Sequence, residues 1–225
     1  ADYTRAIELD PKYVYAYYVR GDAWYAKKDF DKAIADHTRV IEMSPKHVYA
    51  YCSRGDAWYG KKDFDKAIAD FTRAIKLDPT DAYIYWRRGH IWDQKQNADK
   101  ALADYTRALE LDPKYSYVYE RRANIWHYKR QYKKAIVDYS RVIELKPTDA
   151  SAYYSRGGLW KAIGQYDKSI ADYTRAIKLE PQRRYYSGRG DAWRSKGNYD
   201  KAIADYSHAI KLSESPYDED YYKRG

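Results

Sequence analysis

The sequence predicts an all-α fold, an α-solenoid of antiparallel helix pairs. Three observations lead there. Prolines recur at Pro11, Pro45, Pro79, Pro113, Pro147 and Pro181, a step of about 34 residues. Tryptophans keep that step at Trp24, Trp58, Trp92, Trp126 and Trp160, with Trp193 one residue early. Between consecutive prolines stand two stretches of helical period, each too short to bury enough surface alone.

The bulk numbers agree with a thin, repeated core. The chain has 225 residues, 44% hydrophobic and 33% charged, with a mean hydropathy of −0.95. Aromatic residues make up 17% of it, which argues against disorder. They are mainly tyrosines, 29 of them, beside 7 Trp and 3 Phe. Tyr and Trp suit half-wet cores because each buries a ring and keeps a polar handle. The lone cysteine, Cys52, rules out an intrachain disulfide and fits a reducing compartment and a cytoplasmic location. No apolar run reaches the ~18 residues of a membrane span, so no membrane partner is expected. The net charge of +9 permits an anionic partner without demanding one.

Residues 1–13 read as the second helix of a partial repeat, and the segment as cut from a longer protein. In 14–47, the first helix carries Tyr17, Gly21 and Trp24 at i, i+4, i+7, one helical face. KKDFDK interrupts it, with Asp29 or Asp31 as N-cap of the second helix. That helix carries Ala33, Ile34, His37, Val40 and Ile41 on one face and stops before Pro45. Gly21 reads as a close helix crossing. Residues 48–81 repeat this unit with about 24 of 34 positions identical. Units 82–115, 116–149 and 150–183 follow, with Ala123 in the glycine slot and Ser169 in the small-residue slot. Unit 184–216 is one residue short in its first helix and has Glu214 where proline is expected; 217–225, with Tyr221, reads as the start of a further helix. Loss of a tryptophan such as Trp92 is expected to cost about 3–5 kcal/mol.

The pattern resembles the tetratricopeptide repeat, W-x2-L-G-x2-Y, then A-x3-F, then P. The second unit reads Tyr51, Arg54, Gly55, Trp58, Ala67, Phe71, Pro79; the third reads Tyr85, Arg88, Gly89, Trp92, Ala101, Tyr105, Pro113. Tyr stands for the first Trp, Arg for the Leu and Trp for the later Tyr. The resemblance covers essentially the whole chain. It implies a right-handed superhelix whose first helices line a concave groove that holds a peptide or protein segment, without enzymatic activity or cofactor.

Beside the repeating stripe on each first helix runs a stripe that varies. Its slots read Tyr18, Cys52, Trp86, Glu120, Tyr154; then Asp22, Asp56, His90, Asn124, Gly158, Asp191; then Tyr25, Tyr59, Asp93, His127, Lys161, Arg194. A further slot reads Tyr15, Tyr49, Tyr83, Tyr117. The resemblance places these slots in the groove as ligand-binding residues. Tyrosine and tryptophan are good anchors, having few rotors. Asp22 and Asp56 favour a basic or aromatic partner at one end, and Lys161 and Arg194 make the other end basic. The alternative is that Asp22 and Asp56 pair with Arg20 and Arg54 while the tyrosines only shield the core. Grooves that grip a C-terminal carboxylate use a Lys and Asn pattern that these slots lack.

Arg20, Arg54, Arg88, Arg122, Arg156 and Arg189 recur at one slot, and Asp36, Asp70, Asp104, Asp138, Asp172 and Asp205 at another. They read as a ladder of inter-helix ion pairs, each worth about 0–1 kcal/mol if exposed. The turn lysines, such as Lys27-Lys28 and Lys61-Lys62, read as solvated, or as a polyanion-binding ridge. The five histidines, His37, His47, His90, His127 and His208, show no metal spacing. Two other functions stand as alternatives: single-stranded RNA or polyanion binding, motivated by tyrosine stacking and net charge, and end-to-end self-assembly. The groove carboxylates disfavour nucleic acid.

Overall fold

The computed structural model describes residues 2–213, and Glu214 and the segment 217–225 lie outside the described residues. Thirteen α-helices and no strand occur among the described residues. They fall into two compact units that divide after Pro113. The first holds α1 (Asp2–Leu9), α2 (Val14–Ala26), α3 (Phe30–Met43), α4 (Val48–Gly60), α5 (Phe64–Leu77), α6 (Ala82–Gln94) and α7 (Ala98–Leu111). The second holds α8 (Ser116–Tyr128), α9 (Tyr132–Leu145), α10 (Ala150–Ala162), α11 (Tyr166–Leu179), α12 (Arg183–Ser195) and α13 (Tyr199–Ser213).

Within each unit, first and second helices pair as antiparallel hairpins, and each second helix packs on the next first helix. The caps explain the helix limits. Asp29, Asp63 and Asn97 accept hydrogen bonds from the backbone of Lys32, Lys66 and Lys100, starting α3, α5 and α7. Second helices stop two residues before each proline from Pro45 to Pro181. The turn between paired helices needs a left-handed residue. Gly164 and Gly197 supply it at no steric cost, whereas Lys28, Lys62, Gln96 and Arg130 adopt φ of 56–63°.

Small residues and a recurring ring on the second helix form much of the core, with aliphatics such as Ile84, Ile91 and Val118 between them. Ala16, Ala33, Ala50, Ala67, Ala74, Ala101 and Ala108 are fully buried. The slot holding Phe71, Tyr105, Tyr139 and Tyr173 holds His37 in the first hairpin. These rings lie on the glycines of the first helices: a Cβ on Gly55 would stand 3.0 Å from Phe71, and one on Gly89 3.0 Å from Tyr105.

The tryptophans depart from the expectation of a buried core. Each is half-buried, and a lysine from the start of the partner helix covers its ring. Lys32 Nζ lies 4.3 Å from the centroid of Trp24, Lys66 4.3 Å from Trp58, Lys100 4.1 Å from Trp92, Lys134 4.3 Å from Trp126 and Lys168 4.5 Å from Trp160. With part of the ring already wet, loss of Trp92 costs less than the full-burial figure, about 2–3 kcal/mol.

The ion-pair ladder is present and is more buried than expected. All six arginines hold their aspartates by two hydrogen bonds, from Nε and Nη2, at 2.7–2.9 Å. The six aspartates are 2–6% exposed, so these pairs are not the weak surface kind. Arg54, Arg88, Arg156 and Arg189 also donate to Thr38, Thr72, Ser140 and Thr174 of the preceding second helix. Each arginine thus ties three helices together.

Candidate functional site

In the first unit the variable stripe lies on α2, α4 and α6. Tyr15 and Tyr49, on the first turns of α2 and α4, are 58% and 61% exposed, and Tyr83 on α6 is 39% exposed. Those tyrosines protrude because their helix position faces neither the paired helix nor the next repeat.

Below them Asp56 is enclosed. Arg87 of α6 donates to it from Nε at 2.7 Å and from Nη2, and the Tyr83 hydroxyl donates to its second oxygen at 3.1 Å. The guanidinium lies 5.3 Å from the Tyr59 ring, 5.4 Å from Trp86 and 5.8 Å from Phe71. Burial pushes the Asp56 carboxyl above the ordinary carboxylate range, against the pull of Arg87. Burial also opposes the charge on Arg87, and Asp56 more than offsets it. The free carboxylate expected at Asp56 is therefore already matched. The alternative pairing fails too, because Arg20 and Arg54 are committed to Asp36 and Asp70.

Asp22 is different. Its side chain is 46% exposed, and His37 Nε2 lies 3.4 Å away. Ser53 sits beside it. Burial raises the Asp22 carboxyl, with the negative charge of Asp56 adding to the effect and Ser53 opposing it. Tyr18 packs edge-on to His37 at 5.7 Å and faces His47 at 5.1 Å. Tyr25 lies 5.7 Å from Phe30, and Tyr59 5.7 Å from Phe64. The Tyr59 hydroxyl meets His90 Nε2 at 3.2 Å, and Trp86 stacks near His90 at 6.5 Å. Asp93 is half-buried near the end of α6.

Cys52 does not reach this surface. It is 5% exposed and packs with Phe71, Ala74 and Ile84, so the groove slot predicted for it is a core position. Burial pushes its thiol up to about 12.

In the second unit the stripe is mostly consumed. Tyr117 is exposed. Asn124 accepts from the buried Tyr139 hydroxyl at 2.7 Å. Tyr154 is wedged between Tyr173 at 5.6 Å and Tyr185 at 5.2 Å. Glu120 is half-buried, and burial raises its carboxyl, with Asp149 adding to that. His127 lies beside Tyr128 and Tyr132. The basic end expected at Lys161 and Arg194 is partly offset: Lys161 pairs with Asp191 at 3.0 Å and Arg194 with the same carboxylate at 3.6 Å, two cations to one anion. Burial alone would raise Asp191, yet its bonds from Lys161 and the Tyr206 hydroxyl hold it below the usual range.

One lysine in each of three turns is paired as well. Lys61 pairs with Asp31, Lys95 with Asp65 at 2.5 Å, and Lys196 with Asp167. Among the described residues no group of three or more His, Cys, Asp or Glu could hold a metal ion, and no helix is long and apolar enough to cross a membrane.

Sequence reading missed Arg87, Ser53 and His37 as site residues. A signal existed for Arg87: it makes Arg87-Arg88 a pair where the two earlier units have Val19-Arg20 and Ser53-Arg54.

Tetratricopeptide repeat models match residues 48–81, 82–115, 123–159, and 1–48 with 161–219. No curated protein matches the sequence. Among solved structures, a MamA protein is 25% identical at a TM-score of 0.69, covering 74% of this chain and 91% of that one. YrrB, described as a TPR protein with an unusual peptide-binding site, is 18% identical at 0.70, covering 88% and 98%. A tetratricopeptide repeat protein from Parabacteroides merdae is 20% identical at 0.70, covering 90% and 80%. Repeats of this kind serve as protein–protein interaction scaffolds and are generally non-enzymatic. With repeat matches along most of its length and this fold, the chain belongs to the tetratricopeptide repeat family.

Proposed function

We propose that the α2–α4–α6 face binds an extended protein or peptide segment as a scaffold, without catalysis. One observation carries this reading: Tyr15, Tyr49 and Tyr83 stand exposed at one helical position on three successive first helices. Neighbouring helices sit about 10 Å apart. An extended chain advances about 3.3 Å per residue, so one ring meets roughly every third residue of a bound segment. Rings with two rotors lose little entropy on contact. The free edge of Asp22 adds a preference for basic segments. A buried, lone thiol is compatible with a reducing, cytoplasmic setting.

The test is selection from a random peptide library, with the wild type and a Tyr15→Ser/Tyr49→Ser/Tyr83→Ser variant as baits. Enrichment by the wild type and its loss with the folded variant support the reading. No enrichment, or equal enrichment by both, overturns it.

A second reading, self-association, is favoured by α13. Tyr199 and Ile203 are 65% and 63% exposed there, whereas Ile136 and Ile170, at the slot of Ile203 in earlier repeats, are buried. Sedimentation over a wide concentration range tests it; a constant monomer removes it.

A further inference from the structure

Arg87 shows what one slot of this face accepts. One repeat earlier four walls of that slot have counterparts, Asp22 for Asp56, Tyr25 for Tyr59, His37 for Phe71 and Tyr49 for Tyr83, while the Trp86 position holds Cys52, which lies in the core. At the position of Arg87 stands Ser53. A serine side chain ends several ångströms short of where a guanidinium would lie. Among the described residues no Lys or Arg pairs with Asp22; the titratable ring within ion-pair range is the neutral His37 imidazole.

His37 supplies the independent sign of a missing partner. It is completely buried, and neither ring nitrogen makes a hydrogen bond. Its Nε2 lies 3.4 Å from an Asp22 oxygen without hydrogen-bond geometry. Orphaned buried nitrogens are rare and costly. Burial keeps this ring neutral down to about pH 4, so one nitrogen is an acceptor. The half-exposed Asp22 carboxylate therefore stands over a sealed imidazole nitrogen, with Tyr18 packed edge-on against the His37 ring and Ser53 beside the carboxylate. A planar cation with several donors pairs with the carboxylate at the surface and reaches the imidazole nitrogen once the Tyr18 ring swings aside. A guanidinium stacks on rings and forks its donors, which a compact ammonium does not.

We propose that the slot formed by Asp22, Tyr25, His37, Tyr49 and Ser53 takes an arginine side chain from the bound segment, as Arg87 occupies the next slot from within. This rests on the reading of the face as segment-binding, and it names that segment's chemistry.

The probe is N-acetyl-arginine amide, titrated to tens of millimolar into isotope-labelled protein and followed by NMR. The expected result is saturable shifts at the Ser53 amide and the Asp22 carboxyl carbon, with a dissociation constant of about 1–10 mM. The matching citrulline derivative, isosteric and uncharged, leaves both unshifted. Ser53→Arg, which fills the slot from within, abolishes the shifts, and so does Asp22→Asn, which changes charge without volume. Equal response to citrulline, no saturable shift in the wild type, or undiminished binding by Asp22→Asn overturns the proposal. The two readings separate cleanly. Arginine binding with no library peptide enriched removes the segment-binding reading alone. Enriched peptides indifferent to arginine-to-citrulline exchange remove the slot alone.

Discussion

Arg88 holds both oxygens of Asp104, Nε to Oδ2 at 2.9 Å and Nη2 to Oδ1 at 2.8 Å, while its Nη1 reaches Thr72 of the preceding repeat at 3.0 Å. Asp104 is buried. Truncating it strands a partly buried guanidinium, so Asp104→Ala is expected to cost about 3–5 kcal/mol in urea unfolding. Arg88→Lys keeps the charge but cannot fork to two oxygens and the threonine, and is expected to cost about 1–3 kcal/mol. A loss below 1 kcal/mol for Asp104→Ala would show the pair to be decorative.

His37 makes stability depend on pH. Its ordinary value is 6.5 and its folded value about 4, lowered first by burial, with Asp36 opposing and Arg54 and His47 assisting. The unfolded chain binds a proton that the folded chain refuses, so stability falls as pH drops from 6.5 to about 4. The loss amounts to roughly 3 kcal/mol by the bottom of that window. His37→Phe installs the residue that the next repeat carries at Phe71. It is expected to flatten this part of the pH profile and to raise stability most at pH 4–5. Parallel wild-type and variant profiles would place the acid sensitivity elsewhere.

Lys62 adopts φ 63°, a left-handed conformation that costs a β-carbon-bearing residue about 1–2 kcal/mol. Gly164 and Gly197 occupy the equivalent turn position without strain. Lys62→Gly removes the strain and gives back part of it as unfolded-chain entropy. A net gain of about 0.5–1 kcal/mol is expected in thermal unfolding, and a loss would indicate that Lys62 makes a contact stronger than the strain.

Cys52 is sealed against Phe71 and Ile84, with its thiol pushed up to about 12. A thiol labelling reagent at pH 8 is expected to react at the rate of global unfolding, far below that of a free thiol. Rapid labelling in native conditions would put the thiol on the surface.

Much of the fold was legible because packing repeats with the sequence. Pro45 and Gly55 have one reading each, as a helix stop and a close crossing, and the spacing carries both into every unit. The ladder was legible for the same reason, since Arg88 and Asp104 recur in step. Burial was harder to read. Spacing puts Trp92 on the inner face, but does not show that Lys100 shields half the ring. The site was less legible still, because it depends on residues that break the repeat. Cys52 shares a slot with the half-buried Tyr18, Trp86, Glu120 and Tyr154 yet lies in the core, and Asp56 looks free until Arg87 is seen across the helix gap. Pairings between adjacent repeats follow from geometry that a linear period does not contain.

Arg87 allows the reverse experiment. It lies over three rings and neutralises Asp56, whose side chain is mostly covered. Arg87→Ser recreates at the α4–α6 gap what Ser53 makes of the α2–α4 gap. The variant strands a buried carboxylate and is expected to lose about 3–5 kcal/mol of stability. If the slot is an arginine receptor, N-acetyl-arginine amide should restore part of that loss, because a ligand that binds only the folded state stabilises it in proportion to the logarithm of its concentration over Kd. At ten times Kd the rescue is about 1.4 kcal/mol, read as a rise in thermal midpoint that the citrulline derivative does not reproduce. The same titration should show two sites by NMR, at Asp22 and Asp56, where the wild type shows one. A destabilised variant that arginine leaves untouched would mean that the guanidinium of Arg87 is held by its own tether and not by the slot, and the slot at Asp22 would then have no claim on a guanidinium either.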